Sequence, residues 1–128
     1  MKLKVIAPDN TLFIGNAKSL NIAERFGSFT ILSDHAPFIT VLKDFVSTIQ
    51  TEKDDLTYIA ANFGALEVLN NEVSVMIDFG VLGTSKEDAL ENLTNLKQEI
   101  SAQSDNLGDD TIANLEIELV RRIREMRR

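Results

Sequence analysis

Residues 27–42 read GSFTILSDHAPFITVL, in which two runs of apolar and β-branched residues flank a short polar segment. Asp34 can start a turn and Pro37 fixes the backbone before the second run, so the pattern predicts strand, turn and strand. The turn contains His35, the single histidine of the chain. Asp34 beside His35 also permits a catalytic interpretation, in which the aspartate orients the imidazole. Because no nucleophile motif accompanies the pair, we favour a turn or an interface role.

Alternation of apolar and polar residues extends outward from this stretch over residues 1–84. Apolar residues occupy every second position in three segments: Leu3 and Val5; Leu20 and Ile22; Val73, Val75 and Ile77. Period-two patterning predicts strands with one buried face. Turn-forming residues interrupt the pattern at positions 8–10, 26–28, 52–55, 62–64 and 69–72. Many short strands at this spacing favour a sandwich or a barrel.

Residues 85–128 change to a helical period. Apolar residues recur on one face of each of two stretches: Ala89, Leu93, Leu96 and Ile100; Ile112, Leu115, Leu119, Ile123 and Met126. Ser85 and Asp88 have the spacing of a capping box. Residues 104–109 (SDNLGD) have turn chemistry, and Asp109 or Asp110 can cap the second stretch. The pattern predicts an antiparallel two-helix hairpin that must dock on a partner surface to be stable.

Several classes of function lack their motifs in this chain. The absence of cysteine excludes disulfides, and together with the single histidine it argues against a tight transition-metal site. No calcium loop and no phosphate-binding glycine loop occur, so we predict no metal, no cofactor and no catalytic site. The net charge of −7 disfavours nucleic-acid binding. No apolar run is long enough to insert into a membrane, and the N-terminus lacks the pattern of a signal peptide.

The one basic cluster lies at the end of the second helical stretch. It consists of five arginines: Arg121, Arg122, Arg124, Arg127 and Arg128. Basic residues at a helix C-terminus complement the helix dipole, which explains two or three of them. Arginine also binds carboxylates in a bidentate geometry, so an acidic protein surface is the alternative explanation for the rest.

Residues 27–42 resemble a segment of the ATP synthase epsilon subunit, which usually runs G-x-[FL]-x-[IVL]-L-P-x-H-A-P-L-x-[TS]-x-L. Residues 62–68 (NFGALEV) resemble the later G-G-x-[LIV]-E-V of that family, and residues 70–76 (NNEVSVM) resemble its following strand. The resemblance covers essentially the whole chain, and His-Ala-Pro is its most specific part. On these residues the chain is identified as a member of the epsilon subunit family of F-type ATP synthases.

The resemblance implies a β-sandwich domain over residues 1–84 and an antiparallel helical hairpin over residues 85–128. It implies a non-catalytic subunit of the central stalk that clasps the gamma subunit and couples it to the membrane c-ring. The c-ring would be faced by one loop, formed by Asp34, His35, Ala36 and Pro37. The subunit would lie peripherally at the cytoplasmic face of a bacterial or archaeal plasma membrane.

The resemblance also implies a regulatory role for the hairpin. The hairpin would either fold against the sandwich or extend toward the alpha and beta catalytic subunits and restrain ATP hydrolysis. Arg121, Arg122 and Arg124 would then face acidic segments of the beta subunit. Residues 115–122 (LEIELVRR) resemble an alternate, often sodium-linked branch of these rotary ATPases. The coupling ion, proton or sodium, and the main direction of catalysis stay open.

The chain departs from the family pattern at three places. Ser33-Asp34 replaces the usual Pro-Gly before the histidine, and Asn62-Phe63 replaces a usual Ser-Gly or Gly pair. Family members that bind ATP carry [IL]-D-x-x-R-A in the first helix, but here Glu91 stands in place of the arginine. A carboxylate repels phosphates, so we expect no ATP sensing by this route. Two alternatives stay open: a free-standing β-sandwich protein-binding module with a structural helical clasp, and a hydrolase that uses His35.

Overall fold

A computed structural model describes residues 1–107 of the chain. Within this range seven strands precede one helix: β1 (Lys2–Ala7), β2 (Asn10–Glu24), β3 (Gly27–Leu32), β4 (Phe38–Thr51), β5 (Leu56–Leu69), β6 (Glu72–Ile77), β7 (Gly80–Gly83) and α1 (Lys86–Leu107). The predicted β-rich N-terminal region followed by a helix is confirmed. The predicted second helix lies outside the described residues.

The strands form two packed layers because β2, β4 and β5 are long enough to pass from one layer to the other. They contain 15, 14 and 14 residues, respectively. The first layer contains β3, the C-terminal halves of β2 and β4, the N-terminal half of β5, and β7. The second layer contains the N-terminal halves of β2 and β4, the C-terminal half of β5, β6 and β1.

The core lies between the layers and is formed by the alternating apolar residues of the sequence. Leu20, Ile22, Ile49 and Ile59 enter it from the first layer, and Leu3, Val5, Leu66 and Val75 enter it from the second; all are almost fully buried. Burial of this apolar surface is the main favourable term in the folding of a domain of this size. The period-two pattern therefore identified the correct inward faces.

Residues 62–64 form a bend inside β5 and not the turn predicted from their sequence. Asn62 and Phe63 stand where β5 leaves the first layer, and Gly64 begins its pairing with Ile77 in the second. A side chain at Gly64 would place its Cβ 2.8 Å from the Met76 carbonyl oxygen. The glycine thus permits close strand contact in the second layer and does not end the strand.

The carboxylate of Asp78 fixes this bend from the facing corner between β6 and β7. Its Oδ1 atom accepts hydrogen bonds from the backbone N–H of Phe63 at 3.1 Å and of Phe79 at 2.8 Å. Its Oδ2 atom accepts one from Asn62 Nδ2 at 3.3 Å. Asp78 is 6 % exposed. Burial raises the pKa of its carboxyl above the usual 3.8, although these hydrogen bonds act in the opposite direction.

Helix α1 begins at a cap and packs on the outer surface of the first layer. Ser85 Oγ accepts a hydrogen bond from the Asp88 N–H at 3.0 Å, as the capping box predicts. The Asp88 carboxylate accepts from the Thr84 N–H at 2.8 Å, one residue before the cap. Ala89 and Leu93 are buried against a group of five side chains, here called the helix seat: Val46, Tyr58, Ala60, Phe79 and Val81.

The helix continues to Leu107, so the turn predicted from Ser104 onward begins too early. Serine, aspartate and asparagine lower helix propensity by only a few tenths of a kcal/mol each relative to alanine, which an established helix tolerates. Gly108, the first strong helix breaker in this segment, follows Leu107 directly in the sequence. Turn-forming residues alone did not locate the end of the helix.

Replacement of Asp78 by asparagine tests the state of the buried carboxyl. Because the folded pKa is raised, the folded chain binds the proton more tightly than the unfolded chain. The contribution of Asp78 to the free energy of unfolding is therefore greatest below the unfolded pKa and falls as pH rises through the folded pKa. Asparagine keeps the acceptor for Phe63 and Phe79 but cannot ionise.

We expect Asp78→Asn to remove this part of the pH dependence while leaving the contributions of other groups unchanged. Urea unfolding of both chains between about pH 4 and pH 7 measures the difference. The stability of the variant relative to the parent should increase toward pH 7. Parallel curves for the two chains would show that the carboxyl is not perturbed by its site.

Candidate protein-interaction site

The outer surface of the second layer, here called the free face, carries an apolar band. Adjacent strands pair Val41 with Ala65, Ala65 with Met76, and Met76 with Ile6, and directly paired residues point to the same side of a sheet. Phe63 lies on the same side, because it is two residues from Ala65, and packs with Met76 and Ile6. Within the described residues, no other strand or helix packs over this band, but most of it is buried: Ala65, Phe63 and Met76 are 4 %, 6 % and 7 % exposed. Val41, at the β4 end of the band, is 54 % exposed.

Charged residues border the band on the side of β1 and β6. A depression of about 340 Å³ lies there and is lined by nine residues: Lys2, Leu3, Lys4, Ile14, Gly15, Asn16, Glu72, Val73 and Ser74. Ile14 is 77 % exposed at this rim, and Lys2 lies 3.9 Å from Glu72. An apolar centre with a charged rim is the usual composition of a protein–protein interface.

The sequence patterns did not single out the free face. Its signal is present in residues 75–77, where Val75, Met76 and Ile77 are apolar in succession instead of alternating. Such a run indicates a strand with apolar residues on both sides. The sequence could not show which of the two sides faces the core, because that depends on the register with β1 and β5.

The loop at residues 33–37 lies at one end of the sandwich, and all five of its residues are exposed. Asp34 has a φ of 63°, and its N–H donates to Asn71 Oδ1 at 2.8 Å. The His35 N–H donates to the Leu32 carbonyl at 3.2 Å, which closes the predicted turn. The centroids of the His35 and Phe38 rings are 5.9 Å apart, and the rings have a T-shaped arrangement. Asn71 belongs to the turn between β5 and β6, so a neighbouring hairpin holds the loop in place.

The catalytic interpretation of His35 required Asp34 to orient the imidazole. The Nδ1 atom instead lies 2.8 Å from the carbonyl oxygen of Ala36, to which it donates. This local contact satisfies the ring nitrogen without Asp34, and the ring faces Phe38. The alternative interpretation, in which Asp34 orients His35, does not agree with this geometry, and the favoured turn prediction is confirmed.

The remaining sequence-based sites divide between described and undescribed residues. Asp88, the acid in the position of the ATP motif, lies in the first turn of α1 and accepts from the Thr84 N–H at 2.8 Å. Asn92 in the same segment donates to the Leu82 carbonyl at 2.9 Å. Arg121, Arg122 and Arg124 lie outside the described residues. Among residues 1–107, no helix combines the length and the apolar character needed to cross a bilayer.

Two layers of strands with a helix packed on one outer surface define a β-sandwich domain followed by a helix. The family described as "ATP synthase, Delta/Epsilon chain, beta-sandwich domain" matches residues 1–83. The chain belongs to the ATP synthase delta/epsilon family. This confirms the resemblance to epsilon subunits that the His-Ala-Pro segment indicated.

Individual relatives agree with this assignment. The chain is 28 % identical over 108 residues to the ATP synthase epsilon chain of Sulfurimonas denitrificans, with 83 % of each chain covered. The alignment of 108 residues is longer than the sandwich match to residues 1–83, so the similarity continues after Gly83.

Solved structures show the same fold at low identity. A chain of the Euglena gracilis mitochondrial ATP synthase (OSCP/F1/c-ring) superposes with a TM-score of 0.60 at 17 % identity and covers 90 % of this chain and 72 % of the other. A chain in the central stalk/c-ring structure of the Tetrahymena thermophila mitochondrial ATP synthase has a TM-score of 0.53 at 11 % identity. That match covers 63 % of this chain and 65 % of the other.

The two asparagines of the turn between β5 and β6 provide a test of how the loop at residues 33–37 is held. Asn70 and Asn71 both have positive φ, which glycine also adopts without strain. Asn71→Gly removes the acceptor of the Asp34 N–H and should raise the hydrogen exchange rate of that amide about tenfold. Asn70→Gly is the matched control and should leave the rate unchanged. Equal rates in the two variants would contradict a role for the Asn71 side chain.

Proposed function

We propose that this chain is a non-catalytic subunit of the central stalk of a rotary F-type ATP synthase or ATPase, which couples the gamma subunit to the c-ring. The family assignment supports this role, since the Sulfurimonas denitrificans relative is named an ATP synthase epsilon chain. The Tetrahymena neighbour comes from a structure of the central stalk and c-ring. The observation that carries the proposal for this chain is its free face, on which Val41 and Ile14 are exposed beside the apolar band and over which no described element packs.

The gamma subunit is the occupant proposed for the free face. Contact with gamma would remove the exposed apolar surface of Val41 and Ile14 from water, and the lysines and glutamate at the rim of the free face would set orientation. The opposite outer surface is less suitable for a partner of this kind, because α1 already covers its apolar centre. The sandwich thus offers a partner one of its two outer surfaces.

The c-ring is the partner proposed for the loop of Asp34, His35, Ala36 and Pro37. The loop is exposed, polar and anchored through Asn71, so it can meet polar loops of another subunit without first becoming ordered. In this arrangement the chain lies peripherally at the cytoplasmic face of the membrane. The coupling ion and the sodium-linked branch suggested by residues 115–122 stay predictions from the sequence.

Regulation of ATP hydrolysis is proposed for the C-terminal region. Similarity to the Sulfurimonas epsilon chain continues past Gly83, which supports a shared role for residues beyond the sandwich. Arg121, Arg122 and Arg124 would pair with carboxylates of the beta subunit and restrain rotation in the hydrolysis direction. The alternative, a free-standing binding module with a structural clasp, requires neither a gamma complex nor an effect on hydrolysis.

Val41→Glu tests the free face as the gamma-binding surface. Val41 is the exposed end of the apolar band, and a carboxylate covered there by gamma would be desolvated and unpaired, so we expect the Kd for gamma to rise about 100-fold or more. Leu56→Glu is the matched control: Leu56 is 53 % exposed, close to the 54 % of Val41, but lies at the hairpin between β4 and β5. Isothermal titration calorimetry measures the Kd of each variant for gamma. Equal affinity of the two variants would place the gamma site elsewhere.

Reversal of the arginine charges tests the regulatory proposal. In the assembled complex, R121E/R122E/R124E should raise the rate of ATP hydrolysis several-fold, because like charges at an interface cost several kcal/mol. R127E/R128E, at the same end of the chain, is the control and should have the smaller effect. Gamma binding should be unchanged in both variants. An unaltered hydrolysis rate in the triple variant would remove the regulatory part of the proposal and leave the coupling part standing.

A further inference from the structure

Strand β3 forms one edge of the first layer, and within residues 1–107 no strand pairs with its outer side. It pairs with β2 along its inner side over its whole length. An unpaired edge presents a row of backbone N–H and C=O groups that can bond to a strand of another chain. The opposite edge of the same layer, β7, differs, because Asn92 of α1 donates to its Leu82 carbonyl at 2.9 Å.

The edge of β3 lacks the features that usually prevent association between strand edges. Residues 27–32 (GSFTIL) include neither a charged residue nor a proline, whereas proteins commonly place lysine or proline on an exposed edge. The pairing of β3 with β2 is also regular. In contrast, the pairing of β2 with β1 in the second layer contains a register shift between Val5 and Ile6. An uncharged and regular edge of this kind favours the addition of a further strand.

The edge of β3 is ordered before any partner binds. Asn21 Nδ2 donates to Thr30 Oγ1 at 3.0 Å and to the Phe29 carbonyl oxygen at 3.3 Å, which ties β3 to β2 from the outer surface of the layer. The helix α1 packs on β4, β5 and β7, at the other side of the layer. A further strand can therefore add to β3 without displacing the helix and without first ordering the edge.

Two exposed apolar side chains flank the edge at its opposite ends. Phe26 directly precedes β3 and is 93 % exposed, and Leu32 ends β3 and is 58 % exposed. The Arg25 guanidinium lies 5.3 Å from the centroid of the Phe26 ring and covers only part of it. Neither apolar side chain belongs to the core of the sandwich, so only a partner would remove them from water.

These features match a second copy of the same strand. Two identical strands that pair antiparallel are related by a two-fold axis perpendicular to the sheet, so facing residues must point to the same side of each copy. Because successive side chains alternate, the numbers of two facing residues are then both even or both odd. With the axis at Phe29, Phe26 of one copy faces Leu32 of the other, and Ser28 faces Thr30.

This register buries the apolar groups that the single chain leaves exposed. By symmetry, the dimer contains two pairs of Phe26 with Leu32 and two pairs of Ser28 with Thr30. Aromatic–aliphatic pairs and hydroxyl pairs are both favourable across neighbouring strands. With the axis at Thr30 instead, Phe26 would face Asp34 and the apolar pairs would be lost. The axis at Phe29 is therefore the preferred one.

We propose that the unassembled chain forms a symmetric dimer, in which β3 pairs antiparallel with β3 of a second copy and joins two first layers into one sheet. Leu32 directly precedes the loop of residues 33–37, so the dimer covers one side of that loop. Separation of the dimer on assembly into the stalk rests on the c-ring contact proposed above; the pairing itself does not.

Sedimentation equilibrium of the full chain tests the dimer. Six strand residues from each copy bury less surface than a standard protein interface, so we expect reversible association with a Kd of about 10–100 µM. Leu32→Lys places an ammonium against Phe26 twice in each dimer and should raise the Kd about 100-fold. Leu56→Lys is the matched control, because Leu56 is similarly exposed but lies at the hairpin between β4 and β5. Its Kd should equal that of the parent chain.

A mixture of two variants tests the register. Phe26→Glu should weaken association as strongly as Leu32→Lys does, because each leaves a charge opposite an apolar side chain. When the two variants are mixed, the new carboxylate of one chain faces the new ammonium of the other, and the second facing position keeps its apolar pair. Mixed dimers should then form with a Kd within about tenfold of the parent value. Recovery in the mixture, but in neither variant alone, identifies the facing residues.

Two results would overturn the inference. The first is a parent chain that stays monomeric well above the expected Kd; if Leu32→Lys but not Leu56→Lys also weakens gamma binding, the edge belongs to gamma and not to a second copy. The second is an equal dimer Kd for Leu32→Lys and Leu56→Lys, which places the contact elsewhere. The sedimentation experiments contain no gamma subunit, so failure of the dimer leaves the proposed stalk function standing.

Discussion

The hydrogen bonds to the Asp78 carboxylate join the two corners at which the chain passes from one layer of the sandwich to the other. β5 changes layers at Asn62 and Phe63, and the segment from β6 to β7 changes layers at Asp78 and Phe79. The buried Asp78 carboxylate accepts hydrogen bonds from Asn62, Phe63 and Phe79. It thus satisfies polar groups that have no partner in the regular strand pairing at the bend. A buried carboxylate without a cationic partner among its bonded groups is costly, which is reflected in its raised pKa.

The two outer surfaces of the sandwich meet near this corner. Phe63 belongs to the apolar band of the free face, and Phe79 belongs to the helix seat on the other side. Both receive their backbone position from the same carboxylate. Among residues 1–107, one outer surface of the sandwich is covered by α1 and no element packs over the other, which is the surface proposed for a partner.

The sequence predicted the features that depend on local periodicity and chemistry. Period-two residues such as Leu20 and Val75 are in the core, Ser85 caps the helix, and the turn at residues 33–37 closes on Leu32. The sequence-based prediction was wrong where residues distant in the chain determine the local structure. Residues 62–64, which have turn-forming character, remain in a strand because Asp78 supplies hydrogen-bond partners from another part of the chain.

The free face and the docking of α1 on the first layer could not be predicted for a related reason. Met76 and Ile6 are apolar in sequence, but only the register of β1, β5 and β6 places them together on an outer surface. Gly83 reads as the end of a strand, and only the docked helix shows that it permits contact with Ala89. The His-Ala-Pro segment, in contrast, identified the family correctly before any of this geometry was known.

The central claim is that this chain is a stalk subunit that binds gamma through its sandwich. Size-exclusion chromatography of the purified chain with the gamma subunit from the same organism, at micromolar concentrations, tests it most directly. We expect a single stoichiometric complex that elutes ahead of either component. Separate elution of the two proteins would contradict it and would favour a free-standing β-sandwich module.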